Sequence, residues 1–71
     1  DMLEVQMDTF RRVLAEHKND KGQRIVFIHG KGEGVLRRAI IDELRTKYKQ
    51  YTYQDASFRE YGFGATMVTI H

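Results

Sequence analysis

The sequence predicts an α/β fold, a two-layer sandwich in which two helices cover one face of a small mixed sheet. Three observations support this prediction. Apolar residues recur at helical spacing in two separate segments. A run of β-branched and aromatic residues lies between these segments and ends in a glycine-rich turn. Two further short stretches of strand-forming residues follow the second segment, which gives the order α-β-α-β-β.

The first helix is predicted over Leu3 to His17. Its apolar positions follow one another at steps of four, three, four and three residues, which is typical of one helix face. These positions are Leu3, Met7, Phe10, Leu14 and His17, with Val13 beside them. The run Asn19-Asp20-Lys21-Gly22 then has the composition of a helix end and a turn.

The first strand is predicted over Arg24 to His29. Ile25 to Ile28 are apolar without interruption, which favours a buried strand, covered on both faces or on one face with a partner on the other. The segment Gly30 to Gly34 ends this strand, because alternate glycines do not readily propagate a strand or a helix. The second helix follows from about Gly34 to Tyr48. Its apolar face consists of Val35, Leu36, Ala39, Ile40 and Leu44.

Two more strands are predicted, Tyr51 to Tyr53 and Ala65 to Ile70, separated by an irregular segment from Asp55 to Gly64. In the last strand Thr66, Val68 and Ile70 alternate with Met67 and Thr69. The passage from strand through helix to strand predicts a parallel crossover, with both helices on one face because so short a chain cannot cover two. Three strands are few for two helices, so we expect a fourth to precede Asp1 or to come from another chain.

Length and composition limit the class of protein. Residues 1–71 are expected to be a single domain of a longer protein, with a thin core, since a chain of this size buries only ~60% of its unfolded surface. The chain has no cysteine, which excludes disulfides and thiolate metal sites and fits a cytoplasmic protein. No apolar run approaches the ~20 residues of a membrane span, and no signal peptide is recognisable. A formal charge of +2 hardly favours nucleic-acid binding by itself.

The glycine turn is the strongest candidate site. A strand that stops at glycines and restarts as a helix leaves backbone N–H groups free at the positive end of the helix dipole, which favours an anion such as phosphate. Lys31, Arg37 and Arg38 add charge, although the two arginines lie ~100° apart around the helix and cannot both face one ligand. Neither a Walker A loop nor the G-x-G-x-x-G pattern is present. The alternative is that the glycines only shape a tight turn, with Glu33 near the helix start.

His29 precedes this turn and is the candidate catalytic residue, as a general acid or base or as a hydrogen-bond donor to phosphate. The alternative is a half-buried histidine that is bonded to backbone. We expect His17, at a helix end, to be structural and His71 to be exposed. The three histidines have no carboxylate cluster beside them, so no metal site or other cofactor is evident.

Six aromatic residues gather in the second half of the chain. They are Tyr48, Tyr51, Tyr53, Phe58, Tyr61 and Phe63. Aromatic rings beside lysine and arginine can stack on bases, and the alternative is that these rings cover a thin core.

The segment Ile28 to Arg37, Ile-His-Gly-Lys-Gly-Glu-Gly-Val-Leu-Arg, resembles the central motif of the small MutS-related (Smr) domain family. That family has an apolar strand, a turn of the form [His/Thr]-Gly-x-Gly, a further small residue and a Leu-Arg pair that opens a helix. Gly62 to Val68 resembles the family's closing glycine-rich bend and last strand. The resemblance implies a two-layer α/β sandwich with a four-stranded mixed sheet, like the C-terminal domain of translation initiation factor three.

The family usually opens with a strand of the form Leu-Asp-Leu-His-Gly, which has no counterpart in this chain. The resemblance places that strand at the sheet edge beside Arg24 to His29. The acidic and histidine positions of the opening motif are therefore missing, which leaves catalysis by this chain in doubt.

Smr domains are associated with nucleic-acid binding, and several members with nicking endonuclease activity. The resemblance implies DNA or RNA as partner, and a divalent metal where the domain is a nuclease. The matching motif positions are His29, Gly30, Lys31, Gly32, Gly34 and Arg37. Two further interpretations stay open. One is metal-assisted nicking that uses His29, and the other is a non-catalytic module that pairs with protein, ribosome or a second copy through an exposed sheet edge.

Overall fold

The computed structural model describes residues 1–71 as three helices and three strands. The helices are α1 (Met2–Glu16), α2 (Val35–Lys47) and α3 (Phe58–Tyr61). The strands are β1 (Arg24–Ile28), β2 (Thr52–Asp55) and β3 (Ala65–Thr69). The five predicted elements are present with ends within two residues of those expected. The single turn of α3 lies in the segment predicted to be irregular, because one turn is too short to produce an apolar period.

The sheet has the order β1-β3-β2, and β3 is antiparallel to both neighbours. It follows that β1 and β2 run parallel to each other, so the predicted parallel crossover through α2 is confirmed. β3 inserts between the two crossover strands, and every hydrogen-bonded pair is therefore antiparallel rather than mixed. Ile25, Val68 and Tyr53 form one row across the sheet.

The core lies between the sheet and two helices that cover the same face, as predicted. Its buried members come from α1 (Met7, Phe10, Leu14), α2 (Ile40, Leu44), Tyr51, and the last strand and its end (Val68, Ile70). Phe10 also meets the half-buried ring of Phe27 edge-on, with ring centroids 4.8 Å apart. Burial of one such large side chain contributes roughly 1.5–3 kcal/mol, so these few contacts dominate the stability of a chain this short.

β1 is not a buried strand, which corrects the expectation from its apolar run. Ile25 and Phe27 are half-buried towards the helices, whereas Val26 and Ile28 are exposed, Ile28 to 71%. The reason is that β1 is an edge strand and no helix covers the other face of the sheet. The uninterrupted apolar run therefore marks a strand with one covered face and one open edge.

Polar contacts hold both ends of α1. The Asp1 carboxylate accepts from the Glu4 N–H at 2.9 Å and caps α1. At the other end of α1, His17 Nδ1 lies 2.9 Å from an Asp20 carboxylate oxygen, in agreement with the structural role predicted for His17. His71 is exposed, as expected. No helix in the chain combines the length and the hydropathy that crossing a membrane requires.

One ion pair joins the two long helices. The Arg11 guanidinium of α1 donates to both carboxylate oxygens of Glu43 on α2. The Glu43 side chain is only 13% exposed, and the Arg11 hydrogen bonds hold the pKa of that carboxyl below its ordinary value. The pair therefore fixes α1 against α2 on the outer side of the core.

Candidate functional site

The glycine turn connects β1 to α2 through backbone conformations that favour glycine. Gly30, Gly32 and Gly34 have φ of 73°, 36° and 79°, and no other residue type in the chain has positive φ. Gly34 is the N-cap residue of α2 and has a left-handed backbone conformation. No side chain caps the free N–H groups at this end of the helix. A residue with a side chain would be strained in this conformation, so the shape of the turn favours glycine at position 34.

The turn presents a run of free backbone donors. The N–H groups from Lys31 to Arg37 donate to no backbone carbonyl; the first donor after them is Arg38 N–H, to Gly34 oxygen at 2.9 Å. The first turn of α2 itself has no acidic residue, and the one carboxylate of the glycine turn is that of Glu33, directly before the N-cap. Free N–H groups and the positive end of a thirteen-residue helix together favour an anion at this position.

A second glycine-containing loop is tied to the turn. The N–H groups of His29 and Gly30 both donate to the Gly64 carbonyl, at 2.9 and 3.0 Å. A Cβ at Gly64 would lie 3.4 Å from Gly30 Cα, so the two backbones are in van der Waals contact. The two stretches that carried the family resemblance are therefore one structural unit at one end of the sheet.

His29 is half-buried beside the turn, and both ring nitrogens have partners. Nδ1 lies 2.9 Å from the Gly30 carbonyl and Nε2 lies 3.0 Å from the hydroxyl of buried Thr66. A carbonyl only accepts, so the neutral ring carries its proton on Nδ1 and accepts the Thr66 hydroxyl on Nε2.

Two clefts flank the turn. The first, the turn cleft, has a volume of about 340 Å³. Its lining includes His29, Lys31, Gly32, Glu33 and Gly34, with residues of α1 and α2. The second, the Phe63 cleft, has a volume of about 330 Å³ and is lined by Gly30, Lys31, Arg37, Asp55 and Phe63. Lys31 lines both clefts, so its side chain is close to an anion bound in either one.

The two arginines of α2 have different surroundings. Arg37 lines the Phe63 cleft, where its guanidinium lies 3.5 Å from an Asp55 carboxylate oxygen. Arg38 is exposed, lines neither cleft and makes no ion pair within 4.0 Å. Their angular separation around the helix accounts for the difference.

The sequence alone does not bring three members of this site together. Asp55 begins the segment predicted to be irregular, and Thr66 lies on one face of the last predicted strand. Phe63 belongs to the aromatic group for which base stacking and core covering are both open. Their places depend on the insertion of β3 between β1 and β2, which brings distant segments to the same end of the sheet. No local sequence pattern predicts that β3 inserts between β1 and β2.

Nowhere among the 71 residues of this chain do three His, Cys, Asp or Glu side chains come together as ligands for one ion. Asp55, which lines the Phe63 cleft, is paired with Arg37.

The sequence of this chain is similar to those of known proteins. The family described as Smr domain matches residues 2–71. Over 48 residues, 68% of this chain, the sequence is 39% identical to the protein named Endonuclease MutS2 from Finegoldia magna (strain ATCC 29328 / DSM 20472 / WAL 2508). The matched region covers 6% of the length of that relative. The chain therefore belongs to the Smr domain family.

Proposed function

We propose that this chain binds nucleic acid by holding backbone phosphate at the glycine turn. The observation that carries the proposal is the run of free N–H groups from Lys31 to Arg37 at the start of α2. Lys31 and Arg37 add two cationic side chains beside these donors. Membership of the Smr family and similarity to a protein named as an endonuclease support nucleic acid as the anion.

Phosphate contacts provide affinity and salt dependence but no choice of base sequence. The test is fluorescence anisotropy with a labelled oligonucleotide over a series of salt concentrations. Lys31→Ala should weaken binding and reduce the slope of log K against log salt by roughly 0.7–0.9, the value for one lost phosphate contact. Lys49→Ala is the matched control, because Lys49 follows the far end of α2 and is exposed. Equal affinities and slopes for wild type and Lys31→Ala would refute this placement.

The proposal extends to a contribution of His29 to phosphodiester nicking. His29 lines the turn cleft together with Lys31, so a phosphate bound there is within reach of the ring. A supercoiled-plasmid assay decides this extension. Nicking that is lost in His29→Ala supports it, whereas nicking retained in His29→Ala, or absent from wild type, removes it and leaves the binding proposal intact.

A second candidate function is protein pairing through β1. β1 is an edge strand with exposed Val26 and Ile28. It borders a groove of about 330 Å³ that is lined mainly by apolar side chains of α1, β1 and α2. An added strand could pair with the β1 backbone and cover this groove, and a second copy of the chain is the simplest source. Size-exclusion chromatography with light scattering tests this function. A dimer that Ile28→Lys dissociates supports it, and a strict monomer at high concentration argues against it.

A further inference from the structure

The aromatic residues of the second half include a pair packed against the core and a pair that is exposed. Tyr48 and Tyr51 stack on each other beside the core, with centroids 5.7 Å apart and ring planes 16° apart. Phe58 and Phe63 instead pack on each other at 4.7 Å and remain 63% and 70% exposed. Covering the core therefore accounts for Tyr48 and Tyr51 but leaves the two phenylalanines unexplained.

The exposed pair lies beside the proposed phosphate site. Phe63 lines the same cleft as Lys31 and Arg37. The end of the Lys31 side chain passes over the neighbouring Gly62, since a Cβ there would be 3.6 Å from Lys31 Cε. The Gly64 carbonyl, next to Phe63 in the chain, accepts from the N–H of Gly30. An aromatic face, two cations and free backbone donors thus share one end of the molecule.

The backbone holds the pair in place. Gly62 ends α3 with φ 62° and ψ −141°, a region that is essentially restricted to glycine. Its N–H donates to the Phe58 carbonyl at 2.8 Å, which closes the loop that brings Phe63 back against Phe58. The two rings are therefore positioned before any ligand binds, which reduces the entropy lost on stacking.

From this arrangement we propose that Phe58 and Phe63 form a stacking platform for unpaired bases, so that the preferred ligand is single-stranded nucleic acid. The inference rests on the proposed phosphate site and adds the class of ligand. Every base has an aromatic face, and an unpaired base is free to stack on a side chain, whereas a base inside a duplex is already stacked on its neighbours. The adjacent cations favour a polyanion over an uncharged apolar partner for this patch.

Three ligands of matched length test the platform: a single strand, its blunt duplex, and the same single strand with abasic sites at its centre. Wild type should bind the intact single strand more tightly than the abasic strand, by roughly 5- to 150-fold for one or more stacked bases. Phe63→Ala should abolish this difference and leave duplex binding unchanged. Phe63→Tyr should retain the difference, because a phenol ring also stacks.

The same measurements distinguish the stacking platform from the proposed phosphate site at the glycine turn. Lys31→Ala should weaken binding of all three ligands, because each carries phosphate. If wild type binds the intact and abasic strands equally, the platform is refuted and the phosphate site stands. If wild type binds none of the ligands, both proposals fail.

If the chain is a dimer that Phe63→Ala dissociates, the Phe58–Phe63 pair is a protein interface and the platform is refuted. The melting temperature of Phe63→Ala should stay near that of wild type, since the ring is exposed.

Discussion

Gly30 and Gly64, thirty-four positions apart, are in direct backbone contact: the Gly30 N–H donates to the Gly64 carbonyl at 3.0 Å. The same carbonyl accepts from the His29 N–H at 2.9 Å. This contact fixes the glycine turn against the loop that carries Phe63, and so it sets the spacing between the two halves of the candidate site.

Enlarging Gly64 should separate these loops. Its Cβ would lie 3.4 Å from Gly30 Cα, so the small methyl group of Gly64→Ala is nearly accommodated, whereas Gly64→Val places further atoms against backbone. We expect Gly64→Val to destabilise the chain by roughly 1–3 kcal/mol, as overpacked sites do, and to weaken oligonucleotide binding. Urea unfolding and anisotropy measure the two effects. Equal stability of the alanine and valine variants would contradict the close contact.

Substitution of Gly34 should destabilise the chain for a conformational reason alone. Nothing lies within 4 Å of a Cβ at this position, but φ is 79°. Gly34→Ala should therefore lose roughly 1–2 kcal/mol in urea unfolding, the difference expected for an L-residue in the left-handed region. Gly34→Asn is the informative comparison and should lose less, because asparagine tolerates that region better. If alanine were no worse than asparagine, the left-handed conformation of Gly34 would be in question.

Asp55→Asn should strengthen nucleic-acid binding. The Asp55 carboxylate pairs with Arg37 at 3.5 Å and adds negative charge to the Phe63 cleft. Its removal frees Arg37 for phosphate, so we expect affinity to rise several-fold and the salt slope to steepen. Stability should hardly change, since the side chain is 72% exposed and exposed pairs contribute about 0–1 kcal/mol. Asp42→Asn, on the exposed surface of α2, controls for a general charge effect. Equal gains from the two variants would assign the effect to net charge instead of to Arg37.

The Arg11–Glu43 pair should make stability depend on acidic pH. Arg11 hydrogen bonds lower the pKa of Glu43 in the folded chain, so the pair contributes stability fully above the unfolded pKa of glutamate, ~4.3, and loses it as pH falls through the lower folded pKa. Glu43→Gln should lower the melting temperature at pH 7 by several degrees, and its disadvantage should shrink below about pH 4. Glu16→Gln removes an exposed pair with Arg12 and should change little. A Glu43→Gln deficit that is constant from pH 3 to 7 would contradict the pKa shift.

Local patterns predicted most of the fold because helix periods and short β-branched runs are local properties. The open edge of β1 was expected from the family resemblance, which places a further strand beside Arg24 to His29. The residues alone do not predict it, since an apolar run such as Ile25 to Ile28 does not indicate which strands lie beside it. The sheet order likewise depends on where β3 inserts, which is a property of the whole chain.

Part of the candidate site can be proposed from the sequence. The glycine turn, Lys31 and His29 are candidates there because glycine spacing and a basic helix start are visible in sequence. The pairing of Arg37 with Asp55 and the exposure of Phe63 were not predictable, because both depend on the loop before β3 folding back against the turn. The division of the aromatic residues depends on the backbone of Gly62, which no composition rule specifies.

The position of β3 also determines when the chain can fold during its synthesis. β1 and β2 each pair with β3 and not with each other, and Val68 and Ile70 complete the core. A nascent chain that has α1, β1, α2 and β2 outside the ribosome therefore holds two strands without the strand that pairs with both. Folding must wait for β3, and most of the contacts that close the sheet join distant parts of the sequence. This predicts slow folding for so small a domain.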